Sequence, residues 1–191
     1  ISYHDKDQLA FSRQDRVPVL VDGDKVVADS WKIACYLEEA YPDAPSLFGN
    51  DIACGMGLAF NRWCDHVLLG SLFLVCTPGT YDVTQEEDKP YFAQSRFEWT
   101  GKTIDEIRAM ETHALDTHNK ALEPLRQTLM EQPFISGANP AFSDYCVMGG
   151  LMWAKTTYAG SILDDNDPVE AWRQKMLDLF DGLGRGTPGL N

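Results

Sequence analysis

Apolar positions follow two different periods along this chain. Near the start, Val17-Pro18-Val19-Leu20-Val21-Asp22 is a β-branched, apolar run. Asp22-Gly23-Asp24 supplies turn residues, and Lys25-Val26-Val27-Ala28 is a second short run. The pair predicts a β-hairpin. The period then becomes helical: after Asp29-Ser30, Ile33, Leu37 and Tyr41 fall four apart with Tyr36 on the same face, and Pro42 and Pro45 end the helix. Residues 42–50, rich in Pro, Asp, Ser and Gly, read as a linker. From residue 51 onward every apolar pattern is helical. Ile52, Met56, Phe60, Trp63 and Val67 keep helical spacing, and Thr77-Pro78-Gly79-Thr80 is expected to break the helix. An acidic, aromatic stretch, 81–101, ends at Gly101. Residues 103–131 form a long amphipathic pattern with core positions Ile104, Ile107, Met110, Leu115, Leu122, Leu125 and Leu129, in which Pro124 should kink or split the helix. Residues 142–159 and 168–181 supply two more helices. The expected organisation is therefore a small α/β region in 1–41, a linker in 42–50 and an all-helical domain in 51–191.

Composition narrows the function classes. The chain has 191 residues, 44% of them hydrophobic, enough for a substantial core. It has no apolar run of the roughly 18 residues that a membrane-spanning helix needs. The first residues, Ile1 to Lys6, lack the basic start, apolar stretch and small-residue cleavage site of a signal peptide. The formal net charge of −13 repels phosphate backbones and anionic lipid surfaces, which argues against nucleic acid and membrane partners. An anionic small ligand would need local N–H dipoles or cations. Cys35, Cys54, Cys64, Cys76 and Cys146 are odd in number, form no C-x-x-C pair and sit mostly among apolar neighbours. They read as reduced thiols of a reducing compartment. The four histidines show no metal spacing; His113 and His118, five apart, point to different sides of a helix and read as surface residues.

Two short features carry chemistry. Pro18 stands at the start of a good strand, where proline removes a ladder donor. A cis Val17-Pro18 bond would turn the N–H and C=O of Val17 outward, free to dock an extended peptide; an ordinary trans proline at a strand start fits as well. Ser30 is a good N-cap, and a helix N-terminus presents unpaired N–H groups and a positive dipole end to a carboxylate. Asp29 beside it suits an ammonium group. Together they match the two charged ends of a free amino acid, although plain capping explains the pair too.

Val17-Pro18, the hairpin, Asp29-Ser30, the helix ending in Tyr36-Leu37-Glu38-Glu39-Ala40-Tyr41-Pro42 and the helical remainder resemble the glutathione transferase family over nearly the whole chain. The resemblance implies a thioredoxin-like α/β domain that binds glutathione as co-substrate, followed by an all-α domain that supplies the pocket for a hydrophobic electrophile. It implies that Val17 pairs with the cysteinyl backbone of glutathione, that Pro18 is the cis proline shaping that site, that Asp29 and Ser30 hold the γ-glutamyl end, and that Lys6 is a candidate for the glycyl carboxylate. Further on, the segment from Phe134 to Tyr145 looks like the family's capping motif at the start of its central helix, with Asp144 at N3. The N-cap partner position is Ala141, which has no acceptor, so half of the box is missing.

Within the family the likeness is greatest to bacterial β-etherases and their fungal relatives, carried by Arg16-Val17-Pro18-Val19, Asp29-Ser30-Trp31, Tyr41-Pro42-Asp43, the segment from Asp178 to Arg185, and the extra stretch between 77 and 101. This implies an aryl ether as electrophile. In that subgroup a serine near the first helix acts on the thiol. Ser2 and Ser12 lie in the wrong place for that role, so no catalytic residue is assigned. The N-terminal strand and catalytic loop are expected to lie outside this chain, which leaves the thioredoxin-like domain truncated. Trp99, Trp153 and Tyr158, near breaks or beside small residues, are the candidates for the second-substrate pocket. The resemblance also implies a cytoplasmic homodimer; the alternatives are a non-catalytic binder of glutathione and hydrophobic ligands with the same fold, or a transferase-like interaction module.

Overall fold

The computed structural model describes residues 2–3 and 5–190; Ile1, His4 and Asn191 lie outside the described residues. The chain divides into two compact units, residues 1–59 and 60–191. The division falls inside a helix rather than in the stretch 42–50, which belongs to the first unit.

In the first unit a 3-10 helix, Lys6–Ser12, precedes strands β1 (Val19–Asp22) and β2 (Lys25–Ala28). The strands pair antiparallel with Val19 opposite Ala28 and Asp22 opposite Lys25. Their two-residue loop starts at Gly23, whose φ of +56° is the left-handed value that primed hairpin turns demand. Helix α1 (Ser30–Ala40) follows directly. Asp22, at the loop end of β1, accepts hydrogen bonds from Tyr36 Oη at 2.8 Å and Tyr41 Oη at 2.5 Å, tying α1 back to the hairpin. These two phenols, Tyr41 first, hold the Asp22 carboxyl below its ordinary range. The turn that follows is held by Glu38, which bonds Ser46 Oγ and the Leu47 amide. Helix α2 (Asp51–Trp63) starts in this unit. Its Gly57 meets Phe48, which packs on Trp31 with ring centroids 5.2 Å apart.

The second unit is helical. A π-helical turn, Cys64–Leu68, joins α2 to α3 (Leu69–Val83), and α4 (Lys89–Thr100), α5 (Ile104–Arg108), α6 (Glu111–Ala121), α7 (Glu123–Glu131), α8 (Phe142–Thr157) and α9 (Pro168–Gly186) complete it. The core is built around Trp172, with Leu68, Leu122, Leu125, Val147, Leu151, Met176 and Leu177. Asp144 organises it. This carboxylate is fully buried and accepts from the amides of Ile135 (2.8 Å), Ser136 (3.1 Å) and Ala141 (3.1 Å) and from Trp172 Nε1 (2.9 Å). Ala141 is the N-cap of α8 and returns no side-chain bond, as its identity requires.

Several expectations are corrected. Thr77-Pro78-Gly79-Thr80 does not break the helix; α3 runs through Pro78. Thr77 and Thr80 hydroxyls bond the carbonyls of Phe73 (2.5 Å) and Cys76 (2.7 Å), and Gly79 lets α8 come so close that an added Cβ would lie 1.5 Å from the Thr157 carbonyl oxygen. Packing thus overrides the proline signal. The pattern over 103–131 is three helices, broken at Met110 and, ahead of Pro124, at Leu122. Ile52 and Met56 lie on the helical stripe but are 82% and 67% exposed, since periodicity defines a face and not what covers it. Helix α9 extends past 181, interrupted by non-helical residues 179–182, with Phe180 and Asp181 at φ of +53° and +57°. His118 is buried, not on the surface. Its Nδ1 is 2.8 Å from Ser71 Oγ, while the Ser71 hydroxyl also reaches the Leu68 carbonyl.

Candidate glutathione half-site and helical-unit cavity

The hairpin register assembles the first candidate site. Pairing begins at Val19 opposite Ala28, so Val17-Pro18 runs into the ladder at the end where Asp29-Ser30 leaves it. Four residues singled out in the sequence therefore share one end of the hairpin, where α1 begins. The Val17-Pro18 bond is cis. Val17 is 67% exposed and its backbone N–H and C=O bond no group among the described residues. Gln14 flanks it: its side-chain amide donates to the carbonyls of Arg16 at 2.6 Å and Pro18 at 3.3 Å. The carbonyls on either side of Val17 are engaged, and Val17 itself is left outside the ladder.

The cap of α1 is the other residue of the Asp29-Ser30 pair. Asp29, not Ser30, is the N-cap of α1: its Oδ1 accepts the Lys32 amide at 3.1 Å, and its backbone sits at φ +84°. Ser30 is the first helical residue, whose N–H is one of those a helix start leaves without an intrahelical acceptor. Both residues are exposed. The arrangement presents a carboxylate and an amide dipole at one helix terminus, which can take an ammonium and a carboxylate side by side. Lys6 lies on the 3-10 helix and pairs with Asp15 at 3.4 Å.

The aromatic candidates do not converge. Trp99 is 62% exposed, with its ring 6.0 Å from that of Phe73 and 5.0 Å from the Arg96 guanidinium. Trp153 donates Nε1–H to Thr80 Oγ1 at 3.0 Å. Tyr158 lines a cavity of about 280 Å³ in the helical unit. Its wall includes Leu74, Val75, Pro78 and Ile107; its polar side chains are Asp82, Arg108, Glu111, Thr157 and Tyr158. Tyr158 Oη donates to Glu111 at 2.6 Å, and Arg108 grips Asp82 through two bonds of 3.1 and 2.9 Å. Burial first, and then the Glu111 carboxylate, push the Tyr158 phenol up to about 12. The residues facing Tyr158 were missed in the sequence; Gly79 beside Pro78 in an apolar run, and Gly160 after Tyr158, were the available signals of close approach.

All five cysteines are free, and burial pushes Cys64 and Cys146 up to about 12 and Cys76 up to about 11. No cluster of three or more metal-ligating side chains exists among the described residues. Among them, likewise, no helix is long and apolar enough to cross a membrane.

The chain is similar to known proteins over most of its length. Residues 55–178 match the family model "Glutathione S-transferase, C-terminal domain", and residues 2–45 match the N-terminal domain model. The glutathione S-transferase-like protein ustS of Aspergillus flavus is 26% identical over 165 residues, which are 81% of this chain and 55% of that protein. The chain thus spans about half the length of that curated relative. Among solved structures, the glutathione S-transferase CsGST63524 of Ceriporiopsis subvermispora, determined in complex with glutathione, superposes with a TM-score of 0.78 at 19% identity, covering 98% of this chain and 84% of that one. Glutathione transferase GSTFuA3 of Phanerochaete chrysosporium gives 0.73 at 22% identity, covering 95% and 76%. With a small thioredoxin-like α/β part followed by a helical domain, and with both family models matched along its length, the chain belongs to the glutathione S-transferase family.

Proposed function

We propose that the chain binds glutathione at the open end of its hairpin, as part of a transferase that delivers the thiol to a hydrophobic electrophile. The observation that carries this reading is that Val17-Pro18 enters, and Asp29-Ser30 leaves, the same end of the ladder, whose outermost pair is Val19 and Ala28. The unpaired N–H and C=O of Val17 dock the cysteinyl backbone by strand addition. Asp29 takes the γ-glutamyl ammonium, the amide and hydroxyl of Ser30 take its carboxylate, and Pro18 shapes the floor. Lys6 is assigned to the glycyl carboxylate, which must draw it from Asp15. That two of these groups are backbone explains how a chain of net charge −13 holds an anionic tripeptide.

A free thiol near pKa 8.5 is only a few per cent thiolate at neutral pH, so turnover needs a donor that stabilises the sulfur anion. Ser12 is spent on its own turn, its hydroxyl donating to the Leu9 carbonyl at 2.6 Å. None of the described residues is assigned this role. The electrophile is an aryl ether of the β-etherase type: thiolate attacks the ether carbon, a C–S bond forms, and the C–O bond breaks to release a phenolate. Trp99, Trp153 and Tyr158 are assigned to the aryl pocket. The functional partition follows 1–41, a linker at 42–50, and 51–191, in a cytoplasmic homodimer serving detoxification.

The spent Ser12 favours a second reading, a binder of glutathione and hydrophobic ligands without turnover. Retention on glutathione-agarose with elution by free glutathione is expected under either reading; a folded protein that passes straight through contradicts both. A glutathione thioether, detected by mass after incubation with an aryl ether, selects the enzyme.

A further inference from the structure

The cavity at Tyr158 has a charge character that its apolar walls do not suggest. Two carboxylates of the lining, Asp82 and Glu111, face one guanidinium, Arg108, so the lining carries one surplus negative charge. Arg108 gives two of its five N–H groups to Asp82, and Tyr158 gives its proton to Glu111 Oε1. Glu111 Oε2 receives no hydrogen bond from a described residue, and a carboxylate oxygen pair has about four lone-pair sites. Pro78 has no N–H to offer the carbonyl of Leu74 one turn back, and both residues line the cavity. An anionic ligand would meet the surplus negative charge; a purely apolar one would leave Glu111 Oε2 and the Leu74 carbonyl stripped of water.

We infer that this cavity binds an apolar, aromatic or alkyl, small molecule carrying a protonated amine, with the ammonium on Glu111 and the body against Leu74, Val75, Pro78 and Ile107. The inference rests on the part of the preceding reading that places Tyr158 in a ligand pocket, and it names the class of ligand. It does not depend on glutathione. A volume of about 280 Å³ is at the small end for ligand pockets, which suits a single ring with a short side chain.

The test is a titration of the chain, without glutathione, with phenethylamine, and separately with phenylacetate as its anionic counterpart, following the amide resonances of Ala159 and Gly160. Saturable shifts with phenethylamine, and none with phenylacetate at the same concentrations, are expected. Glu111→Gln should weaken phenethylamine by about fivefold, the scale of a partly exposed ion pair, with the circular dichroism unchanged. Equal binding of phenylacetate, no saturable shift with the amine, or unaltered affinity in Glu111→Gln overturns the inference. Should Glu111→Gln fail to fold, the contrast between amine and carboxylate on the unaltered chain decides alone. Because glutathione is absent, failure here leaves the hairpin site untouched, and retention on glutathione-agarose tests that site separately.

Discussion

Trp172 donates its indole N–H to Asp144 Oδ1 at 2.9 Å, joining α9 to the start of α8 inside the core. The same carboxylate accepts three backbone amides. Asp144→Ala would leave four donors unpaired in a dry site, each an expensive loss. Urea denaturation should show a destabilisation of at least ~3 kcal/mol. A change below ~1 kcal/mol would show that water reaches these donors.

The other half of that cap is empty. Ala141 is the N-cap of α8 but has no acceptor for the N3 amide, whereas Asp144 already bonds the Ala141 amide. Ala141→Ser should complete the box and add about 1 kcal/mol. The melting temperature should then rise by roughly 2–4 °C. An unchanged value contradicts the assignment of Ala141 as the cap.

The Asp144 motif was legible because capping is local: three residues of sequence separation define it. The hairpin and the start of α1 were legible for the same reason. What the sequence left unread is tertiary. Pro78 looked like a helix end, and only the approach of Thr157 to Gly79 shows why α3 continues. His113 and His118 were read together as surface residues, yet the partner that draws His118 inward, Ser71, lies 47 positions away. Ile52 and Met56 keep the period of a buried stripe and are exposed. At the hairpin end, residue types suggested a ligand for the helix terminus, but the division of labour between Asp29 as cap and Ser30 as first helical residue depends on a positive φ that the sequence does not display.

Gly79 should be irreplaceable. An alanine there puts Cβ 1.5 Å from a backbone oxygen, which no side-chain rotation relieves. Gly79→Ala should cost about 3 kcal/mol. Gly70, in the same helix, has nothing within 4 Å of its virtual Cβ, so Gly70→Ala should be neutral or stabilise by ~0.5–1 kcal/mol. Equal effects in chemical denaturation would show that α3 and α8 do not pack as described.

Burial, and secondarily the charge of Arg126, bring His118 down from 6.5 to about 4. Its Nε2 is buried without a partner among the described residues. The folded state keeps the ring neutral while the unfolded chain takes up a proton below pH 6.5. This contribution to stability is therefore fully present above pH 6.5 and is lost as pH falls through about 4. Between those limits the unaltered protein should lose up to about 3 kcal/mol relative to His118→Gln. Parallel stability curves for the two proteins would contradict the burial of His118.

The central claim is that the hairpin end of the first unit holds glutathione. The most direct measurement is a titration of the isotopically labelled chain with reduced glutathione, following backbone amide resonances. Saturable shifts are predicted at Val17, Asp29 and Ser30, and Asp29→Ala should weaken them. No saturable shift, or shifts confined to residues 60–191, would contradict it.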